Sequence, residues 1–379
     1  MTVASDVSAG DAQVVAWYGR ARPICLARLM ESRDGTTALF SRQLREGEWD
    51  RTRGTEAATS TAIGLIALSR IGGSFLSPEE TERSLRALAA EVRMTGYRGA
   101  LGVGLWANAV AGANDFGGFL RDCGVAEGDL RGLMRGANSM ELAWLLSGLL
   151  HEQLRAPTPA LNDLCREARG ILHARQRPTG LFMHAGREGK FTQRIRRRVA
   201  TFADQIYSML ALAHSAIVFG KDVALDSACR CADALLARRG PLHQWWWHYE
   251  PDRGAVLRHY PVYAVHQYGM APIAFLTLAA GGARAYRRLA WPGLEWIGTN
   301  EIGGDLFDPI AGTVWRDVHV KRSRIGGLLR NAGEIAGLTA DAGAVTGLAL
   351  NRETRPYEWA WCLMAEALLA SPPPGRHLA

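Results

Sequence analysis

The densest collection of groups able to move protons lies in one stretch, QWWWHYEPDRGAVLRHYPVYAVHQYG, from Gln244 to Gly269. Neighbouring side chains on a helix or strand point apart, so Trp245, Trp246 and Trp247 cannot all enter one core. At least one is expected to face a cavity, where an indole stacks on a sugar ring or steadies a cation. His248 and Glu250 are two apart and share a face if the chain is extended. Shielding by the tryptophans would raise the Glu250 carboxyl toward the range of a general acid. His248 or His266 would then be the partner base near neutral pH. The competing reading is a packed loop in which Glu250 caps the turn Pro251–Gly254 and pairs with Arg253 or Arg258.

Two chemistries fit these residue types. Cleaving a glycosidic bond takes two carboxylates, one protonated and one ionised, and the candidates are Asp204, Glu250, Asp308 and Glu358. Elimination or epimerisation beside a carboxylate takes a His or Tyr base and a cation. His248, Tyr260 and His266 supply the first, and Arg196, in TQRIRRRVA, the second. The catalytic expectation is therefore Glu250, His248, Asp204, His266 and Tyr260. The expected binding set is Trp245, Trp246, Trp247, Tyr263, Gln267, Arg196, Asp308 and Glu358. No HExxH, CxxC, P-loop or strand-bound GxGxxG occurs, so neither a metal nor a cofactor is expected. The six cysteines are scattered and read as small buried apolar residues.

The elements that must hold these groups are helical. Ala, Leu, Arg, Glu and Met fill long segments with helical period, and alternating β-branched runs are nearly absent. Six segments are apolar on most faces, the pattern of a buried helix: 58–72, 97–112, 138–152, 201–216, 264–280 and 356–370. Five of them bring a polar group to or near the first turn: Ser60 or Thr61, Glu141, Asp204 with Gln205, His266 with Gln267, and Glu358. Amphipathic segments lie between them, at 79–94, 160–176 and 222–238. Six inner and about six outer helices describe a closed double ring, an all-α (α/α)6 toroid. The long insertions 177–200, 239–263 and 297–350 would cover one end. The ring is expected over residues 13–370, with frayed ends at 1–12 and 371–379.

A net charge of +7 reflects excess arginine, and its densest cluster is one short segment, so nucleic acid is not the expected partner. The longest apolar run, Met270 to Ala280, is too short to cross a bilayer, and no leader is evident at the N-terminus. Cytoplasm is the expected location.

The helix–loop–helix units resemble those of the terpenoid-cyclase and protein-prenyltransferase toroids. They resemble equally the six-hairpin glycosidases, polysaccharide lyases and uronyl epimerases. The segment Gln244 to Pro272 is similar to a loop of an uncharacterised bacterial family found among polysaccharide-biosynthesis genes. The resemblance implies an aromatic-lined cavity and a small-molecule substrate, a sugar or an isoprenoid. A carbohydrate-active hydrolase, lyase or epimerase is the first expectation. A terpenoid cyclase is the second, although neither DxDD nor DDxxD is present and DLFDP, Asp305 to Pro309, is the nearest match. A non-catalytic binding toroid is the third.

Overall fold

The computed structural model describes residues 9–112, 114–188, 191–220, 223–321, 333–335 and 347–370. Parts of the expected third insertion and the tail 371–379 lie outside the described residues.

The helices are α1 (Ala9–Glu31), α2 (Thr55–Ile71), α3 (Pro78–Thr95), α4 (Arg98–Ala111), α5 (Phe116–Asp122), α6 (Leu130–Gly136), α7 (Ser139–Arg155), α8 (Pro159–His173), α9 (Phe191–Ile195), α10 (Phe202–Phe219), α11 (Val223–Leu236), α12 (Ala271–Ala280) and α13 (Pro356–Ala370). Contacts run α2–α4–α7–α10–α12–α13 and return from α13 to α2, which closes an inner ring of six. These are the six segments expected from their low polarity. α10 is long and apolar enough to cross a membrane by length and composition, but 78% of it is buried as a wall of the ring.

The inner ring packs backbone against backbone where α4 meets α7. A Cβ on Gly102 would stand 2.5 Å from the Leu145 nitrogen, and one on Gly148 would stand 2.4 Å from the Gly102 carbonyl. Only glycine permits that approach.

The outer layer is less regular. α1 lies against α13, α3 against α2 and α4, α8 against α7, and α11 against α10. Between α4 and α7 the outer helix is split into α5 and α6. Beside α12 it is replaced by two short 3₁₀ segments, Arg284–Leu289 and Pro292–Ile297. α1 begins at Ala9, inside the stretch expected to fray.

The strands are two to four residues long and belong to the loops. Ala200–Thr201 pairs with His248–Tyr249, which pairs on to Ala255–Arg258. Val262–Tyr263 pairs with Asp317–Val318, and Glu353–Thr354 with Leu44–Arg45. Three of these strands run within three residues of an inner helix: α10, α12 with its preceding turn, and α13. The ladders therefore gather the insertions at the end of the ring where inner helices begin.

Candidate active site

That end holds a cavity of about 260 Å³, and the start of every inner helix contributes to it. Thr55, Glu56 and Thr59 come from α2, Tyr97 from the N-cap of α4, Met140 from α7 and Ala203 from α10. Val265 and His266 precede α12, and Tyr357 opens α13. Trp144 and Tyr207, one turn deeper, form part of the wall, and Trp247, Tyr263, Arg316 and Arg355 enter from the loops.

His266 opens a widened turn in which the Ala271 N–H reaches back five residues to the His266 carbonyl. Turns of this π type recur at functional sites. The imidazole is buried among aromatic rings: Phe202 at 4.6 Å, Tyr263 at 5.1 Å and Trp247 at 6.0 Å between centroids. Its Nδ1 has no hydrogen-bond partner among the described residues. Burial lowers its pKa from 6.5 to about 3, and the Arg316 charge adds to the effect, so the ring is neutral near pH 7.

Beside the aromatic rings runs a chain of alternating charges, of which Glu56, Arg316 and Arg355 line the cavity. Arg316 Nη1 lies 3.0 Å from Glu358 Oε1 and 3.3 Å from Glu353 Oε1, while its guanidinium sits 5.2 Å over the Tyr263 ring. Arg355 bridges Glu353 at 2.7 Å and Glu56 at 2.6 Å, and Glu56 also pairs with Arg42. Burial raises the Glu56 carboxyl, but Arg355 and Arg42 outweigh it and hold the group below its ordinary value. Glu358 goes the other way, because burial there exceeds the help from Arg316 and Arg355. On the opposite wall the Trp361 indole donates to the Tyr207 hydroxyl at 2.9 Å, and Trp144 meets Tyr207 edge-on at 5.0 Å.

Of the residues singled out by sequence, His266, Trp247 and Tyr263 line this cavity. The others do not line it. Glu250 is buried and accepts a hydrogen bond from the Arg253 amide at 2.6 Å, closing the turn that carries Gly254. His248 stacks on Trp247 at 5.1 Å and is 2.9 Å from Glu334, a carboxylate also paired with Arg258. Burial lowers the His248 pKa more than Glu334 raises it, which favours a neutral ring donating to an ionised Glu334. Asp204 completes a capping box with Thr201 and accepts from the Met140 amide at 3.2 Å and His184 at 2.9 Å. Burial opposes ionisation of Asp204, but His184 and Thr201 hold its pKa down; the His184 pKa is correspondingly raised.

Trp245 is stacked between Phe202 and Phe275, and Trp246 meets His259 edge-on at 4.5 Å. Trp247 is the one indole of the three left half-buried. Gln267 accepts from the Trp245 amide and donates to the Tyr263 carbonyl, so it ties the tryptophan loop to α12. Tyr260 packs on Trp246, where burial and the nearby Glu301 raise its pKa. Asp308 caps its own turn through the Ala311 amide at 2.8 Å and holds the Trp315 indole at 3.2 Å. Arg196 is exposed, and Glu358 stands behind Arg316. Sequence reasoning did not select Glu56, Tyr97, Trp144, Tyr207, Arg316, Arg355 or Tyr357. No group of three or more metal-ligating side chains occurs among the described residues.

No protein-family model and no curated protein matches the chain. Solved structures do match its fold. An unsaturated glucuronyl hydrolase specific for heparin superposes with a TM-score of 0.65 at 14% identity, covering 95% of this chain and 97% of that one. A D-mannose isomerase gives 0.63 at 9% identity, covering 94% and 98%. An α-1,6-mannanase of Salegentibacter sp. gives 0.57 at 11%, covering 93% and 99%. The chain has the α/α-toroid fold of these structures.

Proposed function

We propose that this chain is an enzyme that acts on a carbohydrate, with His266 exchanging a proton with the sugar. The observation that carries this reading is a buried, neutral imidazole whose Nδ1 is unpartnered, set in an aromatic-walled cavity built from all six inner-helix starts. Buried polar atoms are nearly always paired, and an orphan in a cleft is where a ligand atom belongs. Trp247 and Tyr263 offer faces to a sugar ring, and Tyr97, Tyr357 and Arg355 offer donors to its hydroxyls. The names of the fold neighbours, two hydrolytic enzymes of glycans and a sugar isomerase, support the same substrate class.

The wall favours proton transfer on the sugar over two-carboxylate hydrolysis. Glu56 is the single carboxylate in it among the described residues, and two arginines keep that group ionised. A glycosidase pair needs a second, protonated acid. Elimination, isomerisation or epimerisation needs a base beside a carbon whose developing negative charge is stabilised. A substrate bringing negative charge next to Arg316 would offset that arginine's effect on His266 and make the imidazole a stronger base.

Isoprenoid cyclisation ranks lower. Two guanidinium groups in the wall would repel a carbocation, and Asp305 and Asp308 spend Oδ1 on loop amides. Saturation-transfer NMR on a panel of hexoses and uronates tests the reading. Signal transfer to a sugar ring that disappears in Trp247→Ala supports it, and transfer indifferent to that change refutes it.

A further inference from the structure

The loop between α8 and α10 carries a second concavity outside the cavity. Arg187, Arg194, Arg197 and Arg198 wall a groove of about 520 Å³ together with Phe191, Ile195 and Ile335. These apolar side chains are unusually open, with Phe191 74% exposed. Arg198 pairs with Asp252 at 2.9 Å, an acid it shares with Arg177. Arg187, Arg194 and Arg197 have no carboxylate within ion-pair distance among the described residues. The segment 187–198 holds six cations and one acid, Glu188. A solvated charge run needs no concavity and leaves no phenyl ring in water, so both call for an occupant.

Groove and cavity lie at the same end of the ring. Ile335 follows Glu334, which binds His248, and His248 stacks on Trp247 of the cavity wall. On the other side, the Arg197 carbonyl accepts the His184 amide at 3.0 Å. Three residues on, Ala200–Thr201 pairs with His248–Tyr249 and leads into α10, which contributes Ala203 to the cavity.

We propose that the groove binds the anionic residues of a glycan whose reacting residue occupies the cavity, so that the substrate is a carboxylate- or sulfate-bearing oligosaccharide. This rests on the carbohydrate reading of the cavity. Guanidinium forks match carboxylate and sulfate oxygens two bonds at a time, and Phe191 and the two isoleucines offer apolar contact to the C–H faces of sugar rings. A nucleic acid would use several aromatics spread along a basic face, and the groove has one.

The test is titration calorimetry of the full chain at 50 and 200 mM salt. The probes are hexagalacturonate, a heparin hexasaccharide, neutral maltohexaose and hexauridylate, each against wild type, Trp247→Ala and the double variant Arg194→Ala/Arg197→Ala. One of the two anionic hexasaccharides is expected to bind at least tenfold tighter than maltohexaose, and which one separates carboxylate from sulfate recognition. The arginine double variant is expected to lose at least tenfold of that affinity and part of its salt dependence, with an unchanged melting temperature. Equal binding of maltohexaose, tighter binding of hexauridylate, or anionic binding indifferent to the arginines overturns the groove assignment while leaving the cavity reading in place. Anionic binding that needs the arginines but ignores Trp247→Ala overturns the shared-glycan proposal. Failure of every saccharide to bind overturns the cavity reading and the groove with it.

Discussion

The His266 imidazole and the Trp247 indole lie nearly parallel, 16° apart in plane with 6.0 Å between ring centroids. One belongs to the turn that starts an inner helix, and the other ends the run of three tryptophans. Their pairing fixes the loop to the ring at the cavity wall. Phe202 backs His266 at 4.6 Å from the neighbouring inner helix. Packing against these rings holds the imidazole, and no described residue hydrogen-bonds its Nδ1.

Trp247→Ala removes a stacking face from the cavity and one of the rings packed on His266, while Phe202 and Tyr263 still hold the imidazole. A lost aromatic contact is worth about 0.5–1.5 kcal/mol beyond its effect on packing, so KM for the sugar should rise roughly 2- to 10-fold. The effect on kcat should be smaller, because the reacting groups remain. Steady-state kinetics separate the two. A fall in kcat with KM unchanged would place Trp247 outside substrate binding.

Acid should weaken the fold before carboxylates titrate. His214, His248 and His266 are buried, and burial lowers the pKa of each below the ordinary 6.5. The unfolded chain binds those protons near pH 6.5 and the folded chain does not, so stability is full above that value and falls as pH drops below it. Each group contributes a limiting slope of about 1.4 kcal/mol per pH unit. His184 is raised by Asp204 and acts in the opposite sense, its contribution being lost as pH climbs through its folded pKa. Among the histidines with shifted values, three against one favour a decline on acidification. Calorimetric melting between pH 7.5 and 5.5 should show Tm falling, less steeply in His214→Asn. A flat profile would contradict the burial assignments.

Glu250→Ala separates the loop from the chemistry. The carboxylate closes the turn through the Arg253 amide, a bond worth about 1–2 kcal/mol. Stability should drop by that amount in urea unfolding while kcat/KM changes less than about threefold. Loss of turnover with unchanged stability would return Glu250 to the catalytic set.

The inner ring was legible because a helix buried on all sides must be apolar on all sides, and few other elements in the chain meet that condition. The outer ring was less so: α5, α6 and the 3₁₀ segments beside α12 are too short to show a period. Part of the cavity was missed for a boundary reason. Taking α2 from residue 58 left Glu56 outside a helix that begins at Thr55. At α13 attention fell on Glu358, although its neighbour Tyr357 is the side chain that reaches the cavity. Arg316 comes from an insertion with no periodicity, and long-range ties bring it to the ring: the ladder joining Val262–Tyr263 to Asp317–Val318 and its amide's bond to the Glu353 carbonyl. The QWWWHYE run belongs to a loop that lines the cavity through Trp247, but its polar residues hold that loop together.

His266→Asn tests the central claim most directly. Wild type and variant are incubated with a mixed panel of neutral and uronate saccharides, and products are followed by mass spectrometry and by deuterium uptake from solvent. The account predicts that wild type converts at least one sugar and that the variant loses at least about 100-fold in kcat/KM. Its melting temperature should stay close to wild type, because Nδ1 gives up no hydrogen bond. A variant that turns over the same sugar at the wild-type rate would contradict the claim.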